Sequence, residues 1–207
     1  GLEADRTHFS SYGLAWTAPD APPRRFDRPA LTVGFIGTLS EPKGPHVLVE
    51  AMNGLAGEDI EAVIYGPPSH VPGYMERLES LTGNPATTFA GTFPNAQIGS
   101  VIRGLDVLVV PSLWYENTPL VVLSALADGC PVIGSDYPGI AESISHERNG
   151  LLFAPGDTGA LASAIGRVHE DRNLLRGLSE ACMPPKTMAD HGQELLSLYA
   201  DVLAEAR

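Results

Sequence analysis

A chain of 207 residues, 43% of them apolar, can bury one sizeable core and leaves room beside it for little more than a helical arm. Its 25 acidic against 13 basic side chains give a formal charge of -12, a field that repels long nucleic acids and anionic membrane surfaces and argues against both as main partners. A small phosphate ligand is not excluded, because a few amides and one or two cations suffice to hold it.

Residues 1–30 read as a polar lead-in ending in a proline-rich connector, Ala18-Pro19-Asp20-Ala21-Pro22-Pro23, where proline keeps the backbone extended and withholds donors. Its first residues, Gly1-Leu2-Glu3-Ala4-Asp5, have no Met before them, as in a trimmed chain. From Leu31 the pattern changes. Leu31-Thr32-Val33-Gly34-Phe35-Ile36 is a short apolar strand, followed by the loop Gly37 to Gly44 and a helix from about Pro45 with Val47, Leu48, Ala51, Met52 and Leu55 on one stripe. The alternation then repeats. Strands are predicted at 60–65, 87–90, 106–110, 131–134 and 151–153, and helices at about 73–81, 95–103, 119–127 and 139–145. Asp157 caps a helix running to about His169, and helical segments at about 173–181 and 188–206 close the chain. Short strands alternating with helices predict an α/β fold, a doubly wound, mostly parallel Rossmann-like sheet with helices on both faces. The predicted division is a lead-in and linker at 1–30, a sheet domain at 31–185 and a C-terminal helix at 186–207.

In such a sheet ligands bind at the carboxyl ends of the strands, and four loops there carry candidate chemistry. In Gly37-Thr38-Leu39-Ser40-Glu41-Pro42-Lys43-Gly44 the first glycine allows close backbone approach, and Lys43 either offers a point charge to phosphate or is simply solvated. The glycine and lysine order is not that of a P-loop. Gly66-Pro67-Pro68-Ser69 either lines a base pocket or only turns the chain. Pro111-Ser112-Leu113-Trp114-Tyr115-Glu116-Asn117-Thr118-Pro119-Leu120 joins the most buried strand to a helix opening at 117–119, whose free amides and dipole favour an anion. Asn117 or Thr118 can cap that helix, and Glu116, an acid beside aromatics, either accepts from sugar hydroxyls or pairs locally. In the fourth loop Gly139 opens a helix, with Glu142 either capping it or facing the cleft.

Other chemistries lack machinery. The six histidines, His8, His46, His70, His146, His169 and His191, form neither a metal cluster nor a triad, and no serine sits in a nucleophile elbow. Cys130 and Cys182 make no disulfide framework or zinc array, and Cys130 lies in an apolar stretch, as a core residue would. No apolar run reaches the length of a spanning helix and no signal peptide is visible, so the expected location is a reducing cytoplasm, with the full-length protein at most peripheral to the inner face of the membrane.

Taken together, Gly34 to Gly44, Asp106 to Ala127, Gly129-Cys130-Pro131-Val132-Ile133, Pro138 to Glu142, and Asn149-Gly150-Leu151-Leu152-Phe153 with Pro155-Gly156-Asp157 resemble the carboxyl-terminal domain of retaining GT-B glycosyltransferases, the family labelled glycosyl transferases group 1. The stretch Pro111 to Leu120 is the most specific part of that resemblance. It implies a UDP- or GDP-sugar donor held mainly by this domain, with neither metal nor cofactor. It also implies an amino-terminal Rossmann half carrying the site for a glycan or lipid-linked acceptor, so that this piece alone would not transfer a sugar. By the resemblance Glu116 is the first acid of a Glu-x7-Glu motif and binds the donor sugar, and Lys43 holds the diphosphate, the two forming the catalytic pair. Asn117, Thr118, Pro119 and Leu120 bring amides to sugar or phosphate, while Gly37, Thr38, Gly66, Pro67 and Ser124 complete the donor site. Two departures weaken it: Ser124 stands where the motif has its second, ribose-gripping acid, and Thr38 where a basic residue is usual. They leave open an alternative, a catalytically degenerate module that binds the sugar nucleotide or regulates. The stretch Ser10 to Leu14 resembles the region past the interdomain crossover. The last helix, with Leu195, Leu196, Leu198, Tyr199 and Leu203, either returns to the other half or packs on its own sheet.

Overall fold

The computed structural model describes residues 7, 8, 10–15, 24 and 26–205; the proline connector at 18–23 lies outside them. The chain divides into two compact units, Gly1–Thr17 with Pro185–Arg207, and Ala18–Pro184.

The larger unit is built on six strands, β1 (Leu31–Ile36), β2 (Ile60–Tyr65), β3 (Thr87–Gly91), β4 (Val107–Val110), β5 (Val132–Ser135) and β6 (Gly150–Phe153). All neighbours pair in parallel, in the order β3-β2-β1-β4-β5-β6. The pleat sends successive side chains to opposite faces, so a strand covered on both faces must be apolar throughout. β4 meets that demand: Val107 and Val109 join the core on one face, Leu108 and Val110 the core on the other. The first core takes Leu48 and Met52 from α1 (Pro45–Asn53), Leu78 from α2 (Tyr74–Leu81), Ile165 from α5 (Thr158–Glu170) and Leu178 from α6 (Arg172–Glu180). The second takes Ile102 from α3 (Ile98–Arg103) and Val122 and Leu126 from α4 (Leu120–Ala127). Each such side chain contributes about 1.5–3 kcal/mol by leaving water, so these two apolar layers hold the sheet.

Strand order reverses at β1. The chain runs outward from β1 to β3, then resumes with β4 on the other side. Successive loops therefore diverge at the carboxyl ends of β1 and β4, and a crevice opens there.

Within this unit Arg24 is tied to the ends of two helices. Its guanidinium donates to the carbonyl oxygens of Leu105, Ile102 (2.6 Å) and Asp128 (3.0 Å), and to Asp128 Oδ2 at 2.8 Å. The carbonyls lie where α3 and α4 end, so one side chain satisfies acceptors that helix termini leave open.

The predicted helix at 139–145 does not form. Residues 138–143 run as turns, with Ile140 N–H on Tyr137 O (3.1 Å) and Ser143 N–H on Ile140 O (3.0 Å). Tertiary packing overrides helical periodicity here. Ile140 and Ile144 sit over Gly134, where a Cβ would lie 2.7 Å from each of them. The segment at 95–103 is also divided, a 3-10 turn at Asn95–Gln97 leading into α3.

In the smaller unit Leu14 N–H donates to Lys186 O (2.9 Å) and Leu14 O accepts from Met188 N–H (3.0 Å), at the start of α7 (Met188–Glu205). Thr187 and Asp190 cap that helix reciprocally: Asp190 Oδ2 accepts from Thr187 N–H and Oγ1, and Thr187 Oγ1 accepts from Asp190 N–H. Leu196, Tyr199 and Leu203 on α7 are exposed. No helix among the described residues is long and apolar enough to cross a membrane.

Candidate functional site

The loop after β1 leaves at Gly37, makes a single 3-10 turn at Glu41–Lys43 and enters α1 through Gly44. Gly44 has φ +68, and a Cβ there would lie 2.0 Å from Pro111 O. Only glycine fits where the loops after β1 and β4 touch, and Leu113 N–H donating to Pro42 O at 2.7 Å closes the same contact. Across that contact Lys43 Nζ donates to Glu116 Oε1 at 2.6 Å. The two residues that the family resemblance paired for chemistry are thus brought together, each as the other's partner.

Glu116 Oε1 also accepts from Ser112 Oγ and Trp114 Nε1, both at 2.8 Å, and Lys43 Nζ stands 5.3 Å from the centre of the Trp114 ring. Only 8% of the Glu116 side chain is exposed. From the far side Gly139 (φ +85) supports the loop, since a Cβ there would lie 1.8 Å from Glu116 O. Burial pushes the Glu116 carboxyl up. The hydrogen bonds from Lys43, Trp114 and Ser112, with the charge of Lys43, outweigh that and hold it below the usual range.

A carboxyl held below its unfolded value stabilises the fold above the ordinary glutamate range and loses that contribution as pH falls through the folded value. Glu116→Gln is accordingly expected to cost about 1–2 kcal/mol of stability at pH 7, and progressively less as the solution is acidified. Urea midpoints of the two proteins compared across the acid range give the answer; a pH-independent difference contradicts the ion pair.

The start of the loop after β1 and helix α4, which follows the loop of Glu116, line a cleft of about 340 Å³. Gly37, Thr38, Gly66, Pro67 and Ser124 are in its wall; Lys43, Glu116, Asn117, Thr118, Pro119 and Leu120 are not. Helix α4 starts later than the sequence implied. Pro119 occupies its N-cap without a capping side chain, so Asn117 and Thr118 precede the helix rather than cap it. Ser124 is buried, and its hydroxyl donates to Leu120 O at 2.9 Å within its own helix. Glu142 is exposed in the turn after β5 and does not line the cleft.

Sequence reasoning missed the rest of the wall, which includes Tyr65, Thr92, Phe93, Asn95, Ile98 and Val121. Phe93 meets Tyr65 edge-on, ring centres 5.4 Å apart. Thr92 and Phe93 directly succeed β3, so the carboxyl-end rule applied to that strand would have found them. Ser112 and Trp114, four and two residues before Glu116, gave no signal of their own; only the folded loop turns them onto its carboxylate.

Residues 30–171 match the family model described as glycosyl transferases group 1. The D-inositol 3-phosphate glycosyltransferase of Corynebacterium urealyticum is 33% identical over 160 residues, 73% of this chain and 38% of that protein. The chain spans 34% to 44% of the length of the curated relatives first in similarity to it. Among solved structures, the sucrose-phosphate synthase of Thermosynechococcus elongatus is similar with a TM-score of 0.74 at 26% identity, over 85% of this chain and 46% of that one. The Anabaena protein HepE, solved in complex with UDP and glucose, shares the fold with a TM-score of 0.76 at 22% identity, over 83% of this chain and 48% of that one.

Proposed function

Because the chain belongs to the glycosyl transferases group 1 family, we propose that it is the nucleotide-sugar-binding domain of a glycosyltransferase that moves a hexosyl unit from a UDP- or GDP-sugar with retention of configuration. The observation that carries this reading is the Lys43–Glu116 pair, which joins the loops after β1 and β4 where strand order reverses, beside a cleft whose described lining, from the start of the loop after β1 to helix α4, carries no charged side chain.

In this reading the base enters the cleft near Tyr65, Pro67 and Phe93, and the diphosphate lies along Gly37 and Thr38 towards Lys43. A lysine ammonium has three N–H groups, and one of these bonds to Glu116. As the sugar–phosphate bond breaks, negative charge grows on the departing diphosphate. A cation already held in place stabilises that charge more than mobile water does. Glu116 accepts from hydroxyls of the donor sugar, and the backbone N–H groups of Asn117, Thr118 and Leu120 are the further donors of that stretch, Pro119 having none. The acceptor, a glycan or a lipid-linked sugar of polysaccharide or glycoconjugate synthesis, belongs to an amino-terminal Rossmann half, without which this piece is expected to be inactive.

Calorimetric titration of the chain with UDP-glucose and GDP-mannose is the test. Saturable binding of one of them is expected, and no binding of either at millimolar ligand removes the assignment. Glu116→Ala is expected to weaken the sugar nucleotide about 5- to 10-fold, the loss of one charge-assisted hydrogen bond, while the bare nucleoside diphosphate changes less than about twofold. Equal losses for both ligands contradict the sugar contact. Thr38 and Ser124, which add no charge, favour a second reading, a module that binds the sugar nucleotide without transferring it. That reading requires donor binding with no transfer by the full-length protein supplied with donor and acceptor.

A further inference from the structure

The cleft holds a feature that bears on which nucleotides it takes. In a nucleoside diphosphate the ribose lies covalently between base and phosphates, so whichever end of the cleft takes the base, the ribose meets the cleft's own side chains. Among the described residues that line it, none is charged. Its polar side chains are Thr38, Tyr65, Thr92, Asn95 and Ser124.

A protein rejects an analogue lacking one hydroxyl when that loss leaves a buried polar group without a partner. Of these five side chains only Ser124 is buried, 6% exposed, and its hydroxyl hydrogen is already bonded to Leu120 O. Thr38, Thr92 and Asn95 are exposed, so water serves them, and Tyr65 is partly so. None of the buried side-chain atoms that lack a hydrogen-bond partner belongs to this cleft. Removing a ribose hydroxyl therefore strands no described side chain here, whereas a carboxylate facing the cleft would lose a charge-assisted bond.

Resting on the donor-site reading above, we propose that this cleft does not read the ribose 2′-hydroxyl, that Ser124 is the position responsible, and that 2′-deoxynucleoside diphosphates and their sugars are ligands on a par with the ribonucleotides.

The experiment compares UDP with 2′-deoxy-UDP, and GDP with 2′-deoxy-GDP, by calorimetry on the 207-residue chain at one ionic strength. For the base that binds, the two dissociation constants are expected to agree within about threefold. A ribonucleotide preference of about tenfold or more overturns the proposal and leaves the donor-site reading standing. Failure of all four ligands to bind overturns both. Ser124→Glu, which puts a carboxylate into the wall, is expected to open a ribose preference of about tenfold. If that variant still binds both forms alike, the role given to position 124 is wrong.

Discussion

Lys43→Ala is expected to weaken UDP and GDP about 10- to 100-fold while leaving the parent nucleosides within about twofold. Two effects add. The diphosphate loses a charge-assisted donor, and Glu116, still hydrogen-bonded to Ser112 and Trp114 but without the cation at 2.6 Å, leaves an uncompensated negative charge close to the phosphates. Nothing diffuse makes up the loss in a chain of formal charge -12. Calorimetry with nucleoside, monophosphate and diphosphate at constant salt separates the causes, because phosphate contacts near the surface are screened. Adding Glu116→Ala to Lys43→Ala is expected to recover part of the diphosphate affinity, since the unpaired carboxylate is then gone. A matching loss for the uncharged nucleoside would mean that the loop after β1 had collapsed, and would refute Lys43 as the phosphate cation.

The largest stability effect is expected outside the site. Arg24→Ala should cost the larger unit about 3–5 kcal/mol, read from the urea or guanidinium midpoint. The guanidinium is 8% exposed and the Asp128 side chain is fully buried, so the variant leaves a carboxylate inside the protein with a weakened partner set. Arg103 Nε lies 2.9 Å from Asp128 Oδ1 and cannot replace the bonds Arg24 makes to the Ile102, Leu105 and Asp128 carbonyls. Breaking a buried pair from one side is costly because of the charge left behind. A double variant with Asp128→Ala should therefore be less destabilised than the sum of the two single changes. A loss below about 1 kcal/mol for Arg24→Ala would show that its bonds to Asp128 and the helix-end carbonyls contribute little.

Much of the site was legible because parallel sheets place their chemistry in a fixed relation to the chain. An apolar run such as Val107 to Val110 announces a strand buried on both faces, and the loop after such a strand must stand at the carboxyl edge. Gly37, Gly66 and Pro67 stand in loops picked out in that way, and they line the cleft together with Thr38, which the family resemblance added. The stretch from Pro111 to Leu120 needed the family resemblance to acquire meaning. Its aromatics and acid are, by spacing alone, compatible with a simple helix start.

The failures share one cause. Gly139 to Ser145 has helical spacing, but Ile140 and Ile144 are spent on covering Gly134, and the backbone of Gly139 is pressed against Glu116 O. Arg24 stands in a proline-rich lead-in, 104 residues from the aspartate it serves, and no local pattern connects them. Ser124 could be placed by counting along a motif. That its hydroxyl is already committed to Leu120 O is a property of the folded helix.

By itself the sequence determined the layering, through the alternation of short apolar strands with amphipathic helices, and hence the edge of the sheet where ligands meet it. Periodicity is a local quantity, and local quantities survive being read without coordinates. Which side chains face one another across the crevice was decided only by the fold. Lys43 and Glu116, 73 residues apart, become partners because β1 and β4 are neighbours in the sheet and Gly44 lets their loops touch. That contact is set by the packing of two cores on opposite faces of one sheet, a property no single segment carries.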